Sequence, residues 1–273
     1  MKVKSPKVQM YSGAIIVSVF FLLAVFAPII CTQDPNQMSL PDQLTGPNWG
    51  HPFGRDENGS DVFSKVIYGT RVSMGVGFAV VSFSLLLGLI IGSLAGVLGG
   101  KFDSLICGLI DVFYSFPSFL LALALISMMG PSIENMIMAM SLSAWTSYAR
   151  LVRGEILHLR QREFIQTVIS LGGSRRRQIV FHLWPNLTGP LIVHSSFAIA
   201  GTIIAESGLS FLGLGASPKT PTWGALLNSG RRVLSEAPHV SLFPGGAILL
   251  LVLGFHLLGE GLSLYLDPRK EKI

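Results

Sequence analysis

Six long apolar runs, at residues 11–31, 73–98, 105–129, 132–152, 187–210 and 242–265, constrain this chain more than any other feature. A helix crosses a bilayer with about 20 mainly apolar residues, and each run reaches that length. The fourth is the most diluted, ending in the polar stretch AWTSYARL. Charged residues make up only 13% of the chain, against about 25% in a soluble domain. The predicted fold is therefore an all-α membrane protein with six transmembrane helices. The first run follows Lys2, Lys4 and Lys7 as a signal peptide would, but its length and the absence of an A-x-A site after AVFAPIICTQDP predict a retained helix.

Lys and Arg distribution sets the orientation. With the N-terminus inside, fourteen basic residues fall on the cytoplasmic side: three in the N-terminal tail, Lys101, seven from Arg150 to Arg177, and three after Asp267. Six fall outside, at Arg55, Lys65, Arg71, Lys219, Arg231 and Arg232. Both termini are thus predicted to be cytoplasmic. The net charge of +5 is sorted by loop rather than gathered into a nucleic-acid patch. Cys31 and Cys107 fall near opposite membrane faces in this topology. A disulfide needs Cα atoms within about 7 Å, so both are predicted to be free thiols.

The cytoplasmic segment between the fourth and fifth runs departs from the apolar pattern. In QREFIQTVISL (161–171), a 100° helical wheel places Phe164, Ile165, Val168, Ile169 and Leu171 on one half and Arg162, Glu163, Gln166 and Ser170 on the other. This is an amphipathic helix too short to span a membrane. Gly172-Gly173 predicts its stop, and Ser174 predicts the cap of a second helix carrying Ile179, Val180, Leu183 and Trp184. Pro185 then marks where the fifth span begins. Arg175, Arg176 and Arg177 stand in the first turn of that second helix, where the dipole disfavours cations. Anionic lipid and an acidic protein surface are both suitable partners for them.

This hairpin resembles the cytoplasmic E-A-A-x(3)-G-x(9)-I-x-L-P loop of binding-protein-dependent ABC transporter permeases. Gln166, Thr167 and Val168 stand where E-A-A is expected, Gly172 is the glycine and Pro185 the proline. His182-Leu183-Trp184-Pro185-Asn186 is similar to the H-x-x-P-N ending of the peptide and nickel branch. Neither the glutamate nor the alanines of the triplet are present, and Glu163, three residues earlier, is the nearest stand-in for the carboxylate. The resemblance covers the whole chain. AVFAPII followed by Asp34-Pro35, HPFGRDENGSDVFSKVIYGTRVSMGVG (51–77), AESGLSFLGLGASPKTPTWGALL (205–227) and LLGEGLSLYLDPR (257–269) are similar to C-type subunits of dipeptide and oligopeptide importers.

The resemblance implies an N-terminal helix with an extracytoplasmic segment (1–69) and a five-helix permease core (70–273) in the bacterial inner membrane. It implies a second homologous permease, two cytoplasmic ATPase subunits and a substrate-binding protein, periplasmic or lipid-anchored. It also implies that Glu163, Gln166, Thr167, Val168, Leu171, Gly172, Gly173, Arg175 and Pro185 belong to an ATPase-coupling loop. No G-x-x-x-x-G-K-[ST] phosphate loop occurs in the chain, so the chain is expected to bind no cofactor and to be no enzyme. ATP and Mg belong to the partner subunits.

Ionisable groups within membrane spans are costly and often functional. Asp111 and Glu206 are the candidates for a translocation pathway, with helix-interface pairing as the alternative, and Glu260 reads as an interface group. His194 and His256, single histidines on separate helices, read as packing residues rather than metal ligands. Gly88, Gly92, Gly96 and Gly100 form a stripe that invites close approach of another helix. The region 32–70, with five acidic and two basic residues, reads as a solvated polar segment. The segment 216–240 is a candidate surface for the binding protein or a cap on the pore. A proton-coupled secondary transporter remains an alternative. Within the ABC family, nickel, glutathione and antimicrobial peptides remain alternatives to di- or oligopeptides.

Overall fold

The computed structural model describes residues 6–31, 33–215 and 220–266. Lys2, Lys4, Pro218, Lys219, Arg269, Lys270 and Lys272, used above for topology and motif, lie outside them. The described chain is helical: α1 (Pro6–Ile30), α2 (Val62–Leu98), α3 (Gly100–Tyr114), α4 (Ser118–Met129), α5 (Ile133–Leu159), α6 (Glu163–Ser170), α7 (Arg175–Arg177), α8 (Trp184–Phe211), α9 (Trp223–Gly230) and α10 (His239–Leu266). Among the described residues the only β pairing is two isolated bridges, Asn48 with His51 and Arg55 with Asp61.

Among the described residues four helices are long and apolar enough to cross a membrane: α1, α2, the stretch Arg175–Phe211, and α10. The pair α3–α4 makes a fifth if counted as one span. The expected third span is thus not one straight helix, because its halves meet at 81°. Pro117 is the cause: it lacks an N–H and disfavours helical geometry at the residue before it. The Ser115 hydroxyl then closes α3 by donating to the Asp111 carbonyl at 2.9 Å. The expected fourth span, α5, is 27 residues long, or roughly 40 Å at 1.5 Å per residue. Its composition falls short of the other spans because Asn135, the polar stretch from Ser141 to Tyr148 and Arg150 dilute it.

The helix of the second run begins well before the expected residue 73, at Val62. Asp61 caps it by accepting the Ser64 amide at 2.8 Å. α2 packs along α5 through three of the four stripe glycines. A Cβ on Gly92 would stand 2.5 Å from the Ala149 carbonyl oxygen, and one on Gly96 would stand 2.8 Å from Ile156 Cγ2. Gly88 lies equally close to Tyr148 and Ala149. Gly100 is not part of this contact: it has open space around it and a φ of +57°, and with Gly99 it turns the chain from α2 into α3. α1 closes on α10 in the same way, through Gly13, Gly254 and Gly261.

The segment before α2 is largely exposed up to residue 50, as a solvated stretch would be, but packed from Phe53 onward. Asp56 and Asp61 are buried. Asp56 accepts the amides of Asn58 and Ser60 at 2.9 and 3.0 Å and pairs with Lys65. His51 bridges Asp61 at 3.1 Å and Arg55 at 2.8 Å. Phe53 stacks on Phe243 of α10 with ring centres 3.8 Å apart. These carboxylates serve backbone amides and neighbouring cations rather than water.

Candidate functional site

α6 ends as its glycines predict. The Gly172 amide bonds the Ile169 carbonyl and the Gly173 amide bonds the Val168 carbonyl, at 3.0 and 2.9 Å, with Gly172 at φ +76°. That pairing is a Schellman stop, which needs the left-handed conformation at its first glycine. Gly173 is also closely fitted, since a Cβ there would stand 2.7 Å from Val168 Cγ1. Ser174 then caps the next helix by accepting the Arg177 amide at 3.4 Å.

The second half of the hairpin differs from expectation. Residues 178–183 form a π-helical segment that joins α7 to α8, and Arg175–Phe211 is one continuous 37-residue helix. Pro185 therefore starts no separate helix. It sits in the first turn of α8, and just before it the Trp184 amide reaches five residues back to Ile179. This wider turn accommodates a ring that cannot donate to the helical ladder.

The apolar half of α6 divides in two. Ile165 is fully buried and Ile169 packs beside it, against Val152, Ile156, Leu159, Leu183 and Leu187 of α5 and α7–α8. Val168 is half-buried. Phe164 is 42% exposed and Leu171 82% exposed, and Phe181 on the π segment is 69% exposed. Glu163, Gln166, Thr167, Gly172, Arg175 and Pro185 are exposed. Gln166 donates to the Arg160 carbonyl at 2.7 Å, and the Thr167 hydroxyl donates to that of Glu163 at 2.9 Å. Arg160 in turn donates to the Gly96 and Val97 carbonyls at the end of α2, at 2.9 and 3.1 Å. The Trp184 indole donates to Ser93 Oγ at 3.0 Å. The hairpin is thus anchored to α2, α5 and α8 together, with a separate apolar set left uncovered.

Deeper in the bundle, α2, α4, α5 and α8 enclose a groove of about 470 Å³. Its lining is mainly apolar, with Ser84, Ser143, Ser147, Tyr148, Thr202 and His194 among its polar residues, and no acidic, Lys or Arg side chain lines it. Tyr148 donates to Ser195 at 3.2 Å, and the His194 ring stands edge-on to Tyr148 and 3.4 Å from Ser147 Oγ. The hydroxyls of α5 were legible in the sequence only as dilution of the fourth run.

Neither candidate pathway carboxylate lines that groove. Glu206 is fully buried, and its Oε1 accepts Ser210 at 2.8 Å while its Oε2 accepts Ser73 at 2.8 Å and Ser207 at 3.3 Å. The acid joins α8 to α2. Next to it, Trp223 of α9 is buried and donates to the Val66 carbonyl at 2.9 Å. Asp111 is exposed and pairs with Arg150 at 2.7 Å, while Asp103 pairs with Arg153. Glu206→Leu is expected to lower stability by about 2 kcal/mol, because it strands buried hydroxyls. Glu206→Gln should cost far less, since an amide both accepts and donates. Thermal melting of the purified variants distinguishes the two.

Among the described residues no group of three His, Cys, Asp or Glu side chains is placed to hold a metal. Cys31 and Cys107 are free. Burial pushes the Cys31 thiol up, so its alkylation should be slow at neutral pH and accelerate as pH rises.

Comparison with known proteins gives the context of this arrangement. The profile of the family described as binding-protein-dependent transport system inner membrane component matches residues 88–272. The chain is 38% identical over 257 residues to the dipeptide transport system permease protein of Alkalihalophilus pseudofirmus, covering 94% of this chain and 84% of that one. It is 40% identical over 259 residues to the glutathione transport system permease protein of Escherichia coli O6:K15:H31, covering 94% and 86%. The corresponding glutathione permease of Pectobacterium atrosepticum is 37% identical over 263 residues, covering 94% and 86%. The helical bundle, its apolar spans and these matches together establish the chain as a member of the binding-protein-dependent transport system inner membrane component family.

Proposed function

We propose that this chain is the permease subunit of an ATP-driven importer that moves di- or short oligopeptides across a bacterial inner membrane. The observation that carries the reading is the match over 94% of the chain to permeases named for dipeptide and glutathione transport, both of them short peptides. The chain then crosses the membrane six times, with α3–α4 as a bent third span and α5 as the fourth, and both termini are cytoplasmic. Residues 1–69 supply the first helix and an extracytoplasmic segment, and 70–273 the core. A second homologous permease, two ATPase subunits holding ATP and Mg, and a binding protein complete the assembly.

In this reading the α6–α7 hairpin is the coupling element. Leu171 and Phe164 enter a groove on the ATPase, while Ile165, Arg160 and Trp184 carry its displacement into α5, α2 and α8. Contact that differs between the two ATPase states is what shifts the bundle. Peptide passes along this mainly apolar groove, whose hydroxyls offer hydrogen bonds to any backbone amide and whose neutral lining holds no one charge type. Glu206 and Asp111 flank that route and fix its walls.

Proteoliposomes containing the full assembly test the proposal. Labelled dipeptide should accumulate only with ATP inside and binding protein outside. Accumulation driven by an imposed proton gradient without ATP would favour the secondary-transporter reading. An impermeant thiol reagent should modify Cys31 from outside in intact cells and leave Arg176→Cys untouched; labelling of the latter would invert the topology.

A further inference from the structure

α3 is lightly packed. Ile110 is the buried residue of this 15-residue helix, set against Trp145 and Ala149 of α5. Two ion pairs fasten the helix to α5 on either side of it. Arg153 donates to both oxygens of Asp103, at 2.5 and 2.7 Å, and Arg150 donates to Asp111 at 2.7 Å. Both ends of α3 are turns. Gly99 and Gly100 lead into it at φ +66° and +57°, and a Cβ on either would meet nothing within 4 Å. The 81° bend leads out of it. A helix between two such turns can swing as a unit without losing its internal hydrogen bonds.

The same helix borders the groove. Tyr114, its last residue, belongs to the groove lining, and the Arg150 guanidinium carbon stands 4.4 Å from the centre of its ring. On α5, Thr146 and Ser147 of the lining come about one turn before Arg150, and Arg153 comes about one turn after it. The groove, the Arg150–Asp111 pair and the Arg153–Asp103 pair therefore follow one another along α5 toward Leu159. We propose that α3 is a hinged gate at this end of the groove, latched by the two ion pairs. Opening it uncovers one buried side chain and breaks two partly exposed pairs, which hold weakly enough to part within a transport cycle. The tight α2–α5 contact at Gly92 is backbone against backbone and stays in place. The gate rests on the import reading above, with the Leu159 end of α5 cytoplasmic: it is closed while ATP is bound, then swings to release peptide inward. Asp103, Asp111, Arg150 and Arg153 are positioning residues in this scheme, acting through α3.

The test reads the groove directly. Ser143→Cys, in the lining, is introduced into the full assembly together with Cys31→Ser and Cys107→Ser. An impermeant thiol reagent is then applied to the cytoplasmic face of inside-out vesicles. Labelling should be fast without nucleotide and slow with a non-hydrolysable ATP analogue. Asp103→Asn with Asp111→Asn should speed labelling in the analogue-bound state about fivefold, as expected for the loss of two partly exposed pairs, and leave the nucleotide-free rate unchanged. Exchanging the partners, Asp111→Arg with Arg150→Asp and Asp103→Arg with Arg153→Asp, should restore slow labelling, which a misfolded variant would not do. Labelling of the double Asn variant at the unaltered analogue-bound rate overturns the proposal. So does a Ser143→Cys that labels at one rate in both nucleotide states, or one that never labels from this face. Dipeptide uptake and labelling of Arg176→Cys are measured in parallel, so a failed gate leaves the permease reading standing, and a failed permease reading is seen in the uptake.

Discussion

Leu171→Asp should strip the ATPase subunits from the transporter while the helical bundle stays folded. Leu171 is 82% exposed at the end of α6, so the carboxylate costs the isolated subunit little. Once the ATPase covers it, an unpaired buried carboxylate costs about 3 kcal/mol or more, and each 1.4 kcal/mol is a tenfold loss in association. A loss of about 100-fold is expected, read by co-purification of the ATPase subunits and by loss of peptide uptake. Phe164→Asp should act in the same direction. Ile165→Asp should behave differently, because Ile165 is fully buried within its own subunit; it should lower the yield of folded protein before coupling is reached. Ser170→Asp, exposed and outside the apolar set, should leave both readouts near wild type. Gly172→Val should also impair assembly, since a β-branched residue at φ +76° is strained. Normal assembly and uptake by both Leu171→Asp and Phe164→Asp would remove the hairpin from the coupling mechanism.

Gly92→Leu is expected to be strongly destabilising. The atom nearest an added Cβ is the Ala149 carbonyl oxygen at 2.5 Å, and Ala149 Cα lies at 3.1 Å. Backbone cannot turn aside as a side chain would, so α2 and α5 must separate. Overpacking a close-packed contact costs about 1–3 kcal/mol and occasionally more, and here the upper end is expected, with a fall in melting temperature and in folded yield. Gly108→Leu is the control, because a Cβ there meets nothing within 4 Å. If Gly92→Leu melts like Gly108→Leu, the tight α2–α5 contact is not maintained in the membrane.

What could be read from the sequence was chiefly what depends on neighbours along the chain. Gly172-Gly173 and Ser174 announce a helix stop and a cap because that chemistry is complete within six residues. Gly88, Gly92 and Gly96 announce a close helix contact for the same reason, although their partner, α5, does not appear in the spacing. Pro117 was equally visible, but the apolar run on both sides of it hid the 81° bend. Contacts between distant segments were not legible. Asp103 with Arg153 and Asp111 with Arg150 are pairs across α3 and α5, and each member alone reads as a topology signal or a pathway candidate. Asp56 and Asp61 read as solvated because composition counts carboxylates without seeing the backbone amides they accept. The division of the α6 apolar half into Ile165 inward and Leu171 outward also needs the third dimension, since a helical wheel shows a face but not how much of it a bundle covers.

On the coupling reading proposed above, the unbroken helix from Arg175 to Phe211 acts as a lever with unequal arms. About nine residues, or roughly 14 Å at 1.5 Å per residue, separate Arg175 from Trp184, where the indole bond to Ser93 holds the helix against α2. From Trp184 to Phe211 is roughly 40 Å on the same measure. Tilting about that fulcrum would move the far end about three times as far as the hairpin end, so a stroke of one or two ångströms delivered to α7 is magnified across the membrane. The long arm carries Glu206, fastened to Ser73 of α2. A stroke must therefore either shear that bond or sweep α2 along with it, and the serine cage decides which.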